Sequence, residues 1–367
     1  MPVAIFKHAK ISGIVTCVPE NFRRIDDDID LLYAGNVKQV ARIKKTIGLD
    51  KRHVVDGNTT TADLCQTAAS DLLRSNKVDP SSIDALIFVS QTPDYFQPAT
   101  AAYLHGVLNL SVNCAAFDVN QGCAGYIYGL WLAFMMIESG SCENILLLAG
   151  DTLSKVVNPK DSNVASLFGD AGTATLINKS AKVDKSYFKI NTDGKKFDTI
   201  IQPEGAFRKP SSNEINDQKI FEVSSNRGLN DLYMDGAAVF NFSIQTEPKA
   251  INEILEFSGL ELKNIDYIIF HQANRYIISN ISKKLKVSSD KVPKETTGKY
   301  GNQSSASIPC TICDSIRKDL KQSPTKVIMS GFGVGLSWGT ALLNLEDAHL
   351  NTENQFPVGL LFYGPKN

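Results

Sequence analysis

One arrangement of apolar runs occurs twice in this chain of 367 residues, and that repeat limits the architecture more than any other feature. Ile83-Asp-Ala-Leu-Ile-Phe88 resembles Ile265-Asp-Tyr-Ile-Ile-Phe270, at a sequence offset of 182. Ile145-Leu-Leu-Leu-Ala-Gly150 lines up with Val327-Ile-Met-Ser-Gly-Phe332 at the same offset. Gly172-Thr-Ala-Thr-Leu recurs as Gly339-Thr-Ala-Leu-Leu at an offset of 167, so the first half carries about fifteen extra residues between these strands. Three matches in one order indicate an internal duplication. The halves fall at roughly 1–178 and 215–367, with 179–214 connecting them. The polar stretch Glu204 to Gln218, with Pro210 and paired serines, reads as a surface connection.

The strand candidates are Ala85 to Ser90, Cys114 to Val119, Ile145 to Ala149, Tyr267 to Phe270 and Lys326 to Met329. Each is a nearly continuous apolar run, which suits a strand buried on both faces. They alternate with amphipathic stretches, the pattern of an α/β fold. Lys+Arg 38 against Asp+Glu 39 supplies no basic field for nucleic acid. The longest apolar stretch runs only from Tyr126 to Ile137. A membrane span needs ~20 residues, so this shorter segment reads as a buried helix. Seven cysteines, an odd number with no apolar leader at the start of the chain, predict reduced thiols in a soluble cytoplasmic protein.

Four segments can carry chemistry. In Phe117-Asp-Val-Asn-Gln-Gly-Cys-Ala-Gly125 a strand ends, a turn containing Gly122 follows, and an apolar helix begins near Cys123. A thiol at a helix N-terminus is expected to lean toward thiolate. His271-Gln-Ala-Asn274 directly follows a strand, where α/β folds place their active sites. Gly301-Asn-Gln-Ser-Ser-Ala-Ser-Ile-Pro309 has the design of the cysteine turn. Position 305, which lies one repeat offset beyond Cys123, falls inside it, so the two turns are expected to face one another. Gly331-Phe-Gly-Val-Gly-Leu-Ser-Trp-Gly339 links two strands and lacks the βαβ setting of a dinucleotide site. Its backbone N–H groups suit an oxyanion. Cys310 and Cys313 form a lone CxxC and read as packed thiols rather than zinc ligands.

Taken together, these motifs resemble the β-ketoacyl-(acyl carrier protein) synthase III family of thiolase-like condensing enzymes. The resemblance runs from about Ile11 to Leu345. It includes Ile47-Gly-Leu-Asp-Lys-Arg-His53, Gln91-Thr-Pro-Asp94 and Phe168-Gly-Asp-Ala-Gly172. It implies a duplicated five-layer αβαβα fold, a homodimer, and a reaction needing neither metal nor redox cofactor. The implied activity is decarboxylative Claisen condensation of a Cys-bound acyl group with a malonyl thioester, giving a β-ketoacyl thioester. Cys123 would be the nucleophile, and the backbone N–H groups of Cys123 and Val334 the oxyanion donors. His271 and Asn302 would hold the enolate. Phe96, Gln97 and Phe332 would line the acyl pocket. Lys283, Lys284 and Arg275 would dock an acyl carrier protein.

Departures from the family cluster on substrate delivery. The segment Asn36 to Ala41 lacks a Trp, Ser162 replaces an Arg, Arg275-Tyr276 replaces Leu-Arg, and Asn241 replaces a Lys. The acyl donor is therefore expected on either coenzyme A or carrier protein. The chain also runs some twenty residues past the family's usual end, where Gly359-Leu-Leu-Phe-Tyr363 reads as an added strand or a dimer contact. Two alternatives stand beside this reading. One is a Cys-dependent acyltransferase to an oxygen or nitrogen nucleophile, and the other a non-catalytic partner subunit.

Overall fold

The apolar runs become the strands of two sheets stacked about a shared helical layer. The computed structural model describes residues 3–211, 227–320, 324–345 and 358–364. The chain opens with β1 (Val3–Phe6) and β2 (Ala9–Pro19), then β3 (Phe22–Arg24), α1 (Ile29–Tyr33), α2 (Val37–Ile47) and β4 (Lys51–His53). The body of the first half follows as α3 (Thr61–Ser75), β5 (Ala85–Val89), α4 (Thr100–Val107) and β6 (Ala115–Val119). It continues through α5 (Gly125–Glu138), β7 (Asn144–Asp151) and β8 (Ala171–Lys179). Next come β9 (Ser186–Thr192) and a ribbon of β10 (Ile200–Ile201) with β11 (Tyr233–Met234). The second half runs α6 (Gly236–Ser258), β12 (Tyr267–Phe270), α7 (Arg275–Leu285), α8 (Thr296–Tyr300), α9 (Ser307–Thr311) and α10 (Arg317–Leu320). It closes with β13 (Thr325–Gly333), β14 (Ser337–Leu345) and β15 (Val358–Tyr363).

One sheet has the order β15-β2-β8-β7-β5-β6 and the other β1-β9-β14-β13-β12. Successive residues of a strand point to opposite faces, and both faces here are covered. In β5, Ala85, Ile87 and Val89 pack against the central helices, while Leu86 and Phe88 pack beneath α3 and α4. In β12 and β13, Ile269, Val327 and Met329 face the centre, while Ile268, Phe270 and Ile328 face α6 and α7. The layers are thus α3/α4, sheet, α5 with α9 and α10, sheet, and α6/α7. This is the five-layer αβαβα arrangement of the thiolase-like fold.

Strand register makes the duplication quantitative. Ala85 of β5 pairs with Ile145 of β7, and Tyr267 of β12 pairs with Val327 of β13, the same separation along the chain in each half. The third motif match is out by one residue. Gly172 lies opposite Gly150, but the residue opposite Phe332 is Trp338, so Trp338 rather than Gly339 is the counterpart of Gly172. Because side chains alternate across a strand, that single step would put every residue of β14 on the wrong face.

Three further expectations change. The run Cys114 to Val119 yields β6, which is not buried on both faces: it is the last strand of its sheet, with Ala115 exposed. The 179–214 segment holds β9, a strand paired to β1 and β14 inside the second sheet. The polar stretch beginning at Glu204 continues into 212–218, which lies outside the described residues. The two ends of the chain also cross over: β1 joins the second half's sheet, and β15 lies parallel to β2 in the first half's sheet. Gly359 to Tyr363 is thus an added strand.

Candidate active site

Cys123 sits in the turn between β6 and α5, just ahead of the helix start at Gly125. Helix α5 is apolar on nearly every side, as a helix between two sheets must be. That burial fixes the turn at its start, and β13 passes close beneath it. A Cβ at Gly331 would stand 2.9 Å from the Cys123 carbonyl oxygen. A Cβ at Gly333 would stand 2.6 Å from Cys123 Cβ and 2.7 Å from its Sγ. No side chain fits at either position without moving the Cys123 turn.

His271 follows β12 and is almost wholly buried. Its backbone N–H donates to Ser330 O at 2.7 Å, continuing the pairing with β13. Its Nδ1 lies 2.7 Å from Ser307 Oγ, and the edge of the Phe332 ring packs on the imidazole at 5.5 Å. Burial lowers the imidazole to about 4, against one opposing hydrogen bond to the Ser304 backbone, so His271 is neutral.

Asn302 is held by the first half of the chain. Its N–H donates to Leu167 O at 2.8 Å, and its carbonyl accepts from Gly169 N at 3.0 Å. Gly169 is required here, because a Cβ would meet Tyr300 O at 1.9 Å. Asn302 Oδ1 accepts from Ser304 N at 3.0 Å, which leaves its Nδ2 hydrogens to point elsewhere. Leu167 and Gly169, at the start of the Phe168-Gly-Asp-Ala-Gly172 motif, therefore fix the Asn302 backbone.

Cys123, His271 and Asn302 all line one cavity of about 100 Å³. Its remaining wall is largely apolar, including Leu153, Ile200, Leu232, Val239 and Phe332. Val334 lies on the same wall. The expectation of a thiolate at rest is not met. Burial pushes the Cys123 thiol up to about 11, with nearby Asp151 adding to the rise. Hydrogen bonds from the Val334 and Cys123 backbone oppose this shift without cancelling it.

The proposed binding residues divide. Phe332 lines the cavity, but Phe96 and Gln97 do not. Phe96 is 79% exposed and meets the similarly outward Phe207 edge-on at 6.2 Å. The reason is Asp94, whose carboxylate accepts from Thr60 Oγ1 at 2.9 Å and Ala62 N at 3.3 Å. That anchor to the start of α3 sends the following residues outward. Arg275 is engaged within the protein: it donates to the Lys44 and Lys45 carbonyls at 3.1 and 2.9 Å and pairs with Glu295 at 3.2 Å. It closes the end of α2 rather than offering a free cation. Lys284 Nζ donates to Ile244 O at 3.0 Å, while Lys283 is exposed. Arg227, from the second half, stands 3.5 Å from Asp161 and so brings a cation beside Ser162. Cys313 Sγ is 3.5 Å from Thr16 Oγ1. Among the described residues, no group of three His, Cys, Asp or Glu side chains could hold a metal ion. None of the described helices is long and apolar enough to cross a membrane.

Sequence reasoning missed Gln91, Asn274 and Ser304 as lining residues. It also missed Asp151, a fully buried carboxylate at the end of β7. One signal was present in the chain. Asn120-Gln-Gly-Cys-Ala124 and Asn302-Gln-Ser-Ser-Ala306 share N-Q-x-x-A at the repeat offset, which sets Cys123 opposite Ser305 in the duplication.

Residues 117–194 match the family model described as 3-Oxoacyl-[acyl-carrier-protein (ACP)] synthase III, and residues 255–345 match its C-terminal counterpart. A Campylobacter jejuni protein provisionally named a 3-oxoacyl-[acyl-carrier-protein] synthase 3 is 45% identical, over 94% of this chain and 96% of that protein. The beta-ketoacyl-[acyl-carrier-protein] synthase III of Clostridium tetani is 35% identical, over 82% of this chain and 89% of its own. The crystal structure of a 3-oxoacyl-(acyl-carrier protein) synthase from Burkholderia xenovorans superposes with a TM-score of 0.90 at 35% identity, covering 99% of both chains.

Proposed function

This chain belongs to the 3-oxoacyl-[acyl-carrier-protein] synthase III family, and from that premise we propose that Cys123, His271 and Asn302 carry its chemistry. It is a thiolase-like condensing enzyme of the transferase type. It joins a Cys-bound acyl group to a malonyl thioester with loss of carbon dioxide, a reaction of fatty acid biosynthesis. The observation that carries the residue assignment is the convergence of three segments, at 123, 271 and 302, on one apolar cavity.

Cys123 sulfur attacks the carbonyl of an acyl thioester, its proton passing to the departing thiol, and the acyl group stays on sulfur. The oxyanion formed on the way lies against the Val334 and Cys123 N–H groups, which already point at the sulfur. The raised thiol pKa keeps the resting cysteine protonated, so proton removal accompanies attack. A malonyl thioester then loses carbon dioxide, and the electron pair of the broken C–C bond moves into an enolate. His271 donates from Nε2, its Nδ1 lying 2.7 Å from Ser307 Oγ, which itself accepts from Gln272 N at 3.3 Å. Asn302 Nδ2, left over by the bond from Oδ1, is the second donor. A neutral imidazole suits this role, because it offers a hydrogen bond without protonating the carbanion. The carbanion attacks the acyl carbonyl, and Cys123 leaves as thiolate and takes a proton from water.

Transfer to an oxygen or nitrogen nucleophile is not favoured, since that reaction forms no enolate for Asn302 to hold. A non-catalytic subunit is not favoured either, since all three groups are present. The partner delivering malonyl is an acyl carrier protein, and the outer edge of β6 is the surface through which two copies would join as a homodimer. Mass spectrometry after mixing with acyl thioesters, on coenzyme A and on carrier protein, tests the reading. One acyl group on Cys123 is expected, followed by carbon dioxide and a β-ketoacyl product when malonyl-carrier is added. A modified residue other than Cys123 would overturn the assignment.

A further inference from the structure

Asp151 is fully buried, and its two carboxylate oxygens serve different sides of the site. Oδ1 accepts from Gln91 N at 2.7 Å, Ser90 Oγ at 3.2 Å and Thr92 Oγ1 at 3.5 Å, all in the segment after β5. Oδ2 accepts from Ser305 Oγ at 2.8 Å and Ser305 N at 3.2 Å, in the turn that presents Asn302. Gln91 in turn packs on the nucleophile turn: a Cβ at Gly122 would stand 2.1 Å from Gln91 Oε1. One carboxylate therefore joins the wall beside the acyl-bearing sulfur to the turn carrying an enolate donor.

The duplication sets this contact against an internal control. The counterpart of Asp151 in the second half is Gly333, and the counterpart of Ser305 is Cys123. Gly333 meets Cys123 just as Asp151 meets Ser305, so the repeat makes the same approach twice. A carboxylate is absent where it would crowd the sulfur and oppose the oxyanion, and present where it can hold the second turn.

Resting on the proposed roles of Cys123 and Asn302, we propose that Asp151 is a positioning residue that couples the acyl site to the Asn302 turn, so that malonyl decarboxylation waits on acylation. An acyl group on Cys123 fills the cavity beside Gln91. The load reaches Ser305 through the two oxygens of Asp151, and Asn302 is brought to its working position. Without that link, carbon dioxide is lost from malonyl thioester without a carbon–carbon bond being made. The carbanion then takes a proton from water and leaves as an acetyl thioester.

The test measures carbon dioxide released per β-ketoacyl thioester formed, alongside the extent of Cys123 acylation, in Asp151→Asn. The parent should give a ratio of one. Asp151→Asn should acylate, condense at least about 10-fold more slowly, as small misplacements of reacting groups do, and give a ratio above one. Asp151→Glu, which keeps both acceptor oxygens, should bring the ratio back toward one, a recovery that a role in folding alone does not predict. A ratio of one with condensation within twofold of the parent overturns the inference. Should Asp151→Asn not fold, Ser305→Ala removes only the hydroxyl donor; a ratio above one supports the coupling, and a ratio of one overturns it. Asn302→Ala separates the premises: if it decarboxylates at the parental rate, the role of Asn302 fails, whereas a silent Asp151 variant beside a crippled Asn302→Ala sinks the coupling alone.

Discussion

Asn120-Gln-Gly-Cys-Ala124 leads into α5 at Gly125, and Asn302-Gln-Ser-Ser-Ala306 leads into α9 at Ser307, with the two turns separated by the repeat offset. The turns face one another, since a Cβ at Gly125 would stand 3.5 Å from Ser305 Cβ. Their chemistry has diverged. The first turn carries a thiol over a strand stripped to glycine at 331 and 333. The second carries an amide, its serine held by a buried carboxylate. The helices differ as well. α5 runs unbroken from Gly125 to Glu138, whereas a π-turn at Ile312–Ile316 interrupts the second helix between α9 and α10. One backbone design was kept twice, and the proposed chemistry is divided between the copies: covalent attachment at Cys123 in one, enolate stabilisation at Asn302 in the other.

Making the halves alike again should have the largest effect. Gly333→Asp gives the cysteine side the carboxylate that the serine side has, in a space where even Cβ lies 2.7 Å from Sγ. Acylation of Cys123 is expected to fall on the order of 10³-fold, read by mass spectrometry in a variant whose circular dichroism is unchanged. A normal acylation rate would break the comparison. Next in size, Asn302→Ala should slow condensation ~10²–10³-fold while the acyl-enzyme still forms. Its exposed counterpart, Asn120→Ala, should stay within about twofold of the parent. Equal losses in both would mean that the two turns are chemically equivalent.

The exchanged strands offer a test by stability. A chain ended after Leu345 lacks β15 and uncovers the outer edge of β2, with the packing of Leu360 and Leu361. A loss of about 2–4 kcal/mol is expected in denaturant unfolding, with kcat retained below the new transition. The last test is by pH and concerns Glu247 of α6, whose counterpart in the first half is the buried Cys65 of α3. Burial pushes Glu247 up to about 8, against one hydrogen bond from Ser330 at 2.6 Å. The folded protein keeps this proton where the unfolded chain, titrating at ~4.3, has released it. Stability from this group therefore declines as pH rises from about 4.3 to 8 and levels off beyond. Glu247→Gln should flatten that part of the Tm-against-pH curve, and an unchanged slope would exclude Glu247 as its source.

Much of this was legible in the residues. Continuous apolar runs gave the strands β5, β7, β12 and β13, because a strand covered on both faces has no polar side to show. The repeat offset gave the facing turns, and the reactive types at 123, 271 and 302 stood out against their small neighbours. The same patterns misled where contact geometry matters. β6 has the composition of a central strand and lies at an edge. Gly172 matches Gly339 by letter, but hydrogen-bond register assigns it to Trp338. Phe96 and Gln97, which the family resemblance rather than any pattern pointed to, turn away from this chain's cavity because Asp94 is tied to α3.

By itself, the sequence determined the duplication, the α/β alternation and the residue types offered at 123, 271 and 302, since these depend on periodicity and composition along the chain. Only the tertiary structure decided the state of the thiol, the orientation of the Asn302 amide, the splitting of Asp151 between two loops and the crossing of the two termini. Those properties arise from atoms brought into contact from segments far apart in the chain. Burial, register and hydrogen-bond direction are set there by what each group meets, which spacing along a chain does not encode.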